Sequence, residues 1–197
     1  MITASTIVRP ATAHDAASLA ALAEQTFRDA FAAANSAADI ALHCAARYNK
    51  ALQHRDIVDP ELTIYLAVQC GIQGRDRGDD QGRDPDGDQK DELLGFIQLR
   101  QSDCPSCVLA QQPLEIQQLY VASTWHGTGV AHDLMAVALN TAISRAADFI
   151  WLGVWEDNPR AISFYQKYGF VAVGAQTFML GTDSQRDLVM RRPLKLV

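Results

Sequence analysis

The chain has 197 residues, 48% apolar and 20% charged, the proportions of an ordinary globular protein long enough to bury one core. Its net charge of −6 argues against non-specific nucleic-acid binding, which needs clustered Lys and Arg, and no run approaches the ~18 apolar residues of a membrane span. The opening stretch, MITASTIVRPATAHD, lacks a basic region followed by an apolar one, so a cytoplasmic protein with no membrane partner is expected.

Thr3 to Arg9 reads as a short strand closed by Pro10. Thr12 and Asp15 form a capping-box pattern, and the helix behind them carries Ala16, Leu19, Ala20, Ala23, Phe27 and Ala30 on one stripe. Ser36 and Asp39 repeat the signal and predict a second helix through about His54, with Ile40, Cys44, Tyr48 and Leu52 on its apolar side. Residues 63–69 and 93–100 are strand candidates, rich in β-branched and apolar side chains. Between them, residues 71–92 hold eight acidic and four basic side chains, which accounts for −4 of the −6. With little to bury, that stretch predicts a mobile acidic hairpin insertion, and it lacks the register of a calcium loop.

The four cysteines, Cys44, Cys70, Cys104 and Cys107, are expected to be reduced thiols. Cys104 and Cys107 have metal or redox spacing, but no second Cys or His pair stands at a suitable distance, so no metal is expected. Leu114 to Val121 is the fourth strand, and it leads into His126-Gly127-Thr128-Gly129-Val130-Ala131 and a long amphipathic helix. Phe149 to Val154 is almost wholly apolar, the mark of a strand covered on both faces. Asn158-Pro159 then reads as a helix cap followed by proline at the first helical position, and Gly169 ends that helix. Val171 to Leu180 and Asp187 to Arg191 complete a final hairpin. The order is β α α β β β α β α β β, with no internal repeat or linker, so one domain over 1–197 is expected.

The glycine loop is where chemistry enters. A strand, a glycine turn and a helix N-terminus in that order present free amides and roughly half a positive charge to an anion. An ordinary strand-to-helix turn is the bland alternative for that loop on its own. The loop followed by NPRAISFYQKYGF resembles the GNAT (Gcn5-related N-acetyltransferase) family, whose acyl-CoA loop is written Q/R-x-x-G-x-G/A. Gly129 and Ala131 match that pattern, and His126 stands where Gln or Arg is usual. Within the family, TFRDAFAAANSAADI and GVWEDNPRAISFYQKYGFVAVGAQTFMLG resemble the PaiA-type spermine/spermidine acetyltransferases.

The resemblance implies an α/β (mixed α+β) GNAT fold. Its mostly antiparallel twisted sheet of about seven strands is flanked by about four helices and splayed between the fourth and fifth strands. It implies acetyl-CoA as cosubstrate, with the amides of Gly127, Thr128, Gly129, Val130 and Ala131 on the pyrophosphate and His126 at the pattern's first position in the same cofactor site. The backbone of Leu119, Tyr120 and Val121 would lie along the pantetheine as another strand does. Asn158, also a helix cap, is often used on the pantetheine arm. Tyr165 falls where the family places a tyrosine beside the cofactor sulfur, and a phenol of pKa near ~10 can protonate a departing thiolate. Tyr168 is read as a packing aromatic.

A polyamine is neutral in only about one part in 10³ at pH 7, so a proton acceptor matters. Glu115 on the fourth strand, Glu156, His126 or a water relay along Gln117 and Gln118 are candidates, with Glu115 carried as the residue of choice. The expected acceptor is a small-molecule amine, a polyamine by preference. A protein N-terminus, an antibiotic amine, or a non-catalytic CoA- or amine-sensing role are the alternatives. Homodimers are common in the family, so a homodimer is an assembly the resemblance allows.

Overall fold

The computed structural model describes residues 6–69, 92–101 and 103–194. The expected insertion at 71–92 lies outside them except for Glu92, as do Cys70 and the first residues of the opening strand. In chain order the elements are β1 (Thr6–Pro10), α1 (Ala16–Phe31), α2 (Ala37–Arg47), α3 (Lys50–Val58), β2 (Leu62–Gln69), β3 (Glu92–Arg100) and β4 (Pro113–Val121). They continue as α4 (Val130–Ser144), β5 (Phe149–Trp155), α5 (Pro159–Lys167), β6 (Val171–Leu180) and β7 (Asp183–Pro193).

The expected mixed fold is present, with five helices where about four were expected. The difference lies in the second helix, which does not run through to His54. Tyr48 leaves helical geometry at φ −115 and ψ 77, and the Asn49 side chain accepts from the Leu52 amide at 3.0 Å to start a new helix. An asparagine cap outcompetes the continuous apolar spacing, because it satisfies an amide that a helix start leaves without a partner. The break drops the Tyr48 ring into the core, where its hydroxyl hydrogen-bonds Tyr120 of β4.

Seven strands form one sheet in the order β1-β2-β3-β4-β5-β7-β6, antiparallel except for β4 beside β5. That parallel pair is joined across α4, as a parallel pair must be joined by a crossover. It pairs only over Pro113–Phe149, Leu114–Ile150 and Glu115–Trp151. Immediately beyond, Leu99 of β3 stands opposite Ile116 while Gln98 stands opposite Gln118. Gln117 is therefore an extra residue, a bulge that bends β4 and raises its twist. From there β4 follows β3 and β5 follows β7, and the sheet opens between them as the resemblance implied.

Apolar clusters cover both faces. Leu134, Met135 and Ala138 of α4 pack with Ile97, Leu99, Ile150 and Leu152 on one side. Leu19, Ala23 and Phe27 of α1 and Ile40 and Cys44 of α2 pack with Leu66, Val68 and Phe96 on the other. The entry to α1 is fixed by Asp15. Its carboxylate accepts the Thr12 amide at 2.7 Å and both Arg9 guanidinium arms at 2.8 and 2.9 Å. The Arg9 fork and the Thr12 donors, working against burial, hold the Asp15 carboxyl down to about 2.

A carboxylate depressed in the folded state stabilises above its unfolded pKa, and that stability disappears as pH falls through the folded value. Asp15→Asn is expected to lose about 2 kcal/mol at neutral pH. Urea unfolding followed from pH 7 downward should show this, together with a flatter decline between pH ~4 and ~2 than in the parent chain.

Candidate functional site

The opening between β4 and β5 is the mouth of a cleft of about 670 Å³. One wall comes from α5 and the start of α4, the other from α1 and the β6–β7 hairpin. The Ala122 amide donates to Leu94 oxygen at 2.8 Å. Antiparallel alternation then directs the backbone of Tyr120 and Gln118 toward β3 and that of Leu119 and Val121 into the cleft. Of the three residues expected along the pantetheine, Leu119 and Val121 offer main-chain groups, whereas Tyr120 enters through its side chain.

At the glycine loop, Gly127 and Gly129 have φ values of 81° and 103°, in the left-handed region that favours glycine. Gly129 caps α4, and its oxygen takes the His132 and Asp133 amides at 2.8 and 3.1 Å. The Val130 and Ala131 amides precede any intrahelical acceptor and point out of the helix start. The Thr128 hydroxyl is used inside the turn, donating to Trp125 oxygen at 2.8 Å.

His126 is built into the structure by its ring nitrogens. Arg160 donates to Nδ1 at 3.0 Å, and Nε2 meets Val121 oxygen at 2.9 Å. A guanidinium has only donors, so Nδ1 accepts and Nε2 carries the proton, which makes the ring neutral. The positive charge at this end of the cleft therefore comes from Arg160, the second residue of α5, and not from the side chain at the pattern's first position. The sequence reading missed Arg160.

Asn158 caps α5 as expected, accepting from the Ala161 amide at 3.0 Å, and also lines the cleft. The cap uses its oxygen and leaves the NH2 group as a donor. Tyr165 is buried on the same wall, edge-on to Phe164 and Phe170, and burial raises its phenol well above the ordinary value. Tyr168 is a packing residue, its ring tilted against those of Phe164 and His132 and its hydroxyl bonded to His132 Nδ1 at 2.7 Å.

The structure does not bring Glu115 to the cleft. It lies in the paired part of β4, opposite Arg100 and Trp151, and accepts from Gln117 Nε2 at 3.2 Å. Gln117 in turn accepts from Gln98 at 3.1 Å, so the bulge residue ties Glu115 into a side-chain chain behind the opening. Glu156 is paired with Arg186.

The carboxylates that do line the cleft are Asp29 of α1, Asp157 after β5 and Asp187 of β7. Asp187 is 9% exposed, and burial lifts its carboxyl to about 6. Nothing in its local sequence marks it. Only the pairing of β7 with Trp155 of β5 and Gln176 of β6 turns it inward.

A family model described as the acetyltransferase (GNAT) family matches residues 59–170. An uncharacterised N-acetyltransferase of Mycobacterium tuberculosis (strain ATCC 25618 / H37Rv) is 32% identical over 180 residues, 91% of this chain and 98% of its own length. An uncharacterised N-acetyltransferase of Lactobacillus delbrueckii subsp. lactis is 25% identical over 174 residues, 88% of this chain and 89% of its own. The crystal structure of PaiA N-acetyltransferase from Thermoplasma acidophilum, in complex with coenzyme A, aligns with a TM-score of 0.68 at 18% identity. That alignment covers 96% of this chain and 99% of the other.

A side chain at Gly129 has open space but a backbone angle it rarely adopts, so the loop must re-form around it. Gly129→Val is expected to lower stability by about 1–3 kcal/mol. It should also weaken coenzyme A binding by about tenfold or more in isothermal calorimetry, because the loop amides lose their convergence.

Proposed function

The chain belongs to the GNAT family of acetyltransferases, and on that premise we propose that it moves the acetyl group of acetyl-CoA to a primary amine of a small molecule, with polyamines as favoured acceptors. The observation that carries this reading is the β4–β5 opening, a single cleft lined by the open strand edge of β4, the buried phenol of Tyr165 and the carboxylates of Asp29, Asp157 and Asp187.

The donor set fits a phosphate-bearing acyl thioester. Within the Gly127 to Ala131 loop, the amides of Gly127, Gly129, Val130 and Ala131, with the Arg160 guanidinium, are suited to a pyrophosphate, while the Thr128 amide turns inward to Trp125 oxygen. The main chain of Leu119 and Val121 and the Asn158 NH2 group are suited to the amides of an extended pantetheine arm. Bound acetyl-CoA supplies a thioester carbonyl open to attack and a thiolate as leaving group. Tyr165 is the general acid of this reading: burial holds its phenol protonated at neutral pH, so the proton is present when the sulfur develops charge. The wall from α1 and β7 receives the acceptor. Phe27, Phe31 and Trp155 line the cleft together with Asp29 and Asp187, and a lining of aromatic rings and carboxylates suits a cationic amine. Arg160, the cation lining the cleft, stands beside His126 at the opposite end.

Thiol release from acetyl-CoA, measured across polyamines, aminoglycosides and N-terminal peptides, tests the reading, and polyamines should give the highest kcat/KM. Tyr165→Phe is expected to cut turnover by ~10²-fold or more while leaving acetyl-CoA affinity nearly unchanged. A variant running at the parent rate would remove Tyr165 from the chemistry.

A further inference from the structure

Asp187 is more than nine-tenths buried, yet among the described residues no hydrogen bond or ion pair reaches its carboxylate. Buried carboxylates are ordinarily paired, because an unpaired charge loses its hydration with no compensation. The local structure keeps the group clear. A side chain on Gly153 would place its Cβ 3.2 Å from Asp187 Oδ2 and 2.7 Å from Gln176 Nε2, so glycine at that point of β5 is what leaves room for both. The carboxylate lines the same cleft as Tyr165 and lies close enough to Tyr120 to disfavour ionisation of its phenol.

We propose that Asp187 binds the ammonium group of the acceptor and takes its proton, as the catalytic base of the acetyl transfer. This rests on the acetyl-transfer reading above and adds the residue that activates the acceptor. An ammonium R–NH3⁺ gives one proton to the Asp187 carboxylate, producing the neutral amine and a carboxylic acid. The nitrogen lone pair forms the C–N bond to the acetyl carbon, and the C–S bond breaks with its electron pair left on sulfur. Tyr165 protonates that sulfur and regains a proton from the acylated nitrogen, leaving R–NH–acetyl. Asp187 then returns its proton to water, so one proton is released per turnover.

The surroundings suit that role. From β4 the neighbouring titratable group is Tyr120, backed by Tyr48, and from α5 it is Tyr165; burial keeps all three phenols neutral at pH 7. From β6 the neighbour is the uncharged Gln176, and from α1 the carboxylate of Asp29 lines the same cleft. The adjacent Arg186 is engaged by Glu156. A base that titrates near pH 6 is ionised at neutrality and still basic enough to accept a proton from a bound ammonium.

The test compares the full-length parent with Asp187→Asn on two acceptors, spermidine and the weakly basic trifluoroethylamine, the latter already largely neutral at pH 7. With spermidine, the variant should lose about 10²-fold in kcat, and the acid limb near pH 6 in the parent's rate profile should disappear. Spermidine binding in the presence of coenzyme A, measured by calorimetry, should weaken by about tenfold. With trifluoroethylamine the two proteins should differ by less than about threefold, which also shows that the variant is folded. Equal loss on both acceptors, or spermidine turnover within about twofold of the parent, would overturn the assignment while leaving acetyl transfer intact. Absence of thiol release by the parent with every amine would instead remove the acetyl-transfer reading on which it rests.

Discussion

Everything at the site depends on where β4 and β5 stop pairing. Three residue pairs hold the strands together, and the Gln117 bulge then turns β4 away with β3. A strand edge inside a folded protein carries amides and carbonyls that need partners, and an edge left open in a cleft must meet water or a ligand. The fold does not avoid this. One edge group, Val121 oxygen, is met by His126, and that same histidine accepts from Arg160. The loop residue that departs from the family pattern thus joins the end of β4 to the start of α5 and sets a guanidinium at the glycine-loop end of the cleft.

The two faces of the sheet give the cleft two different walls. On the α4 side, buried aliphatic residues make a rigid platform, and Tyr165 reaches the opening from α5 as a buried aromatic. On the other side, the break at Asn49 sends Tyr48 beneath the sheet to Tyr120, which extends a buried hydroxyl pair toward the reacting region.

Much of this was legible because it rests on local rules. Gly129 and the Asn158-Pro159 pair announce helix starts through backbone requirements that need no tertiary context, and both stand where the sequence placed them. Tyr165 was legible only through the family resemblance. The second helix was read as continuous because apolar spacing from Ile40 to Leu52 outweighed one asparagine. Glu115 was favoured as a base because it lies on the correct strand, but its distance from the bulge decides its surroundings, and bulges leave no periodic trace. Asp187 and Arg160 were invisible for a similar reason. Each acquires its environment from strand register or from a histidine some thirty residues away in sequence.

The two aspartates Asp15 and Asp187 show opposite solutions to burying a carboxylate. Asp15 has a guanidinium fork and an amide, its carboxyl is lowered to about 2, and it stabilises the folded chain above pH ~4. Asp187 has no such partner, its carboxyl is raised to about 6, and the sign reverses. Its folded state binds the proton more tightly, so stability falls as pH rises from ~4 through ~6, by roughly 2–3 kcal/mol for a shift of that size. A chain that can pair an aspartate as completely as Asp15 has no structural need for a buried, unpaired carboxylate at Asp187. On the proposed role of Asp187, the missing partner is a cation that arrives from solution in the cleft it lines.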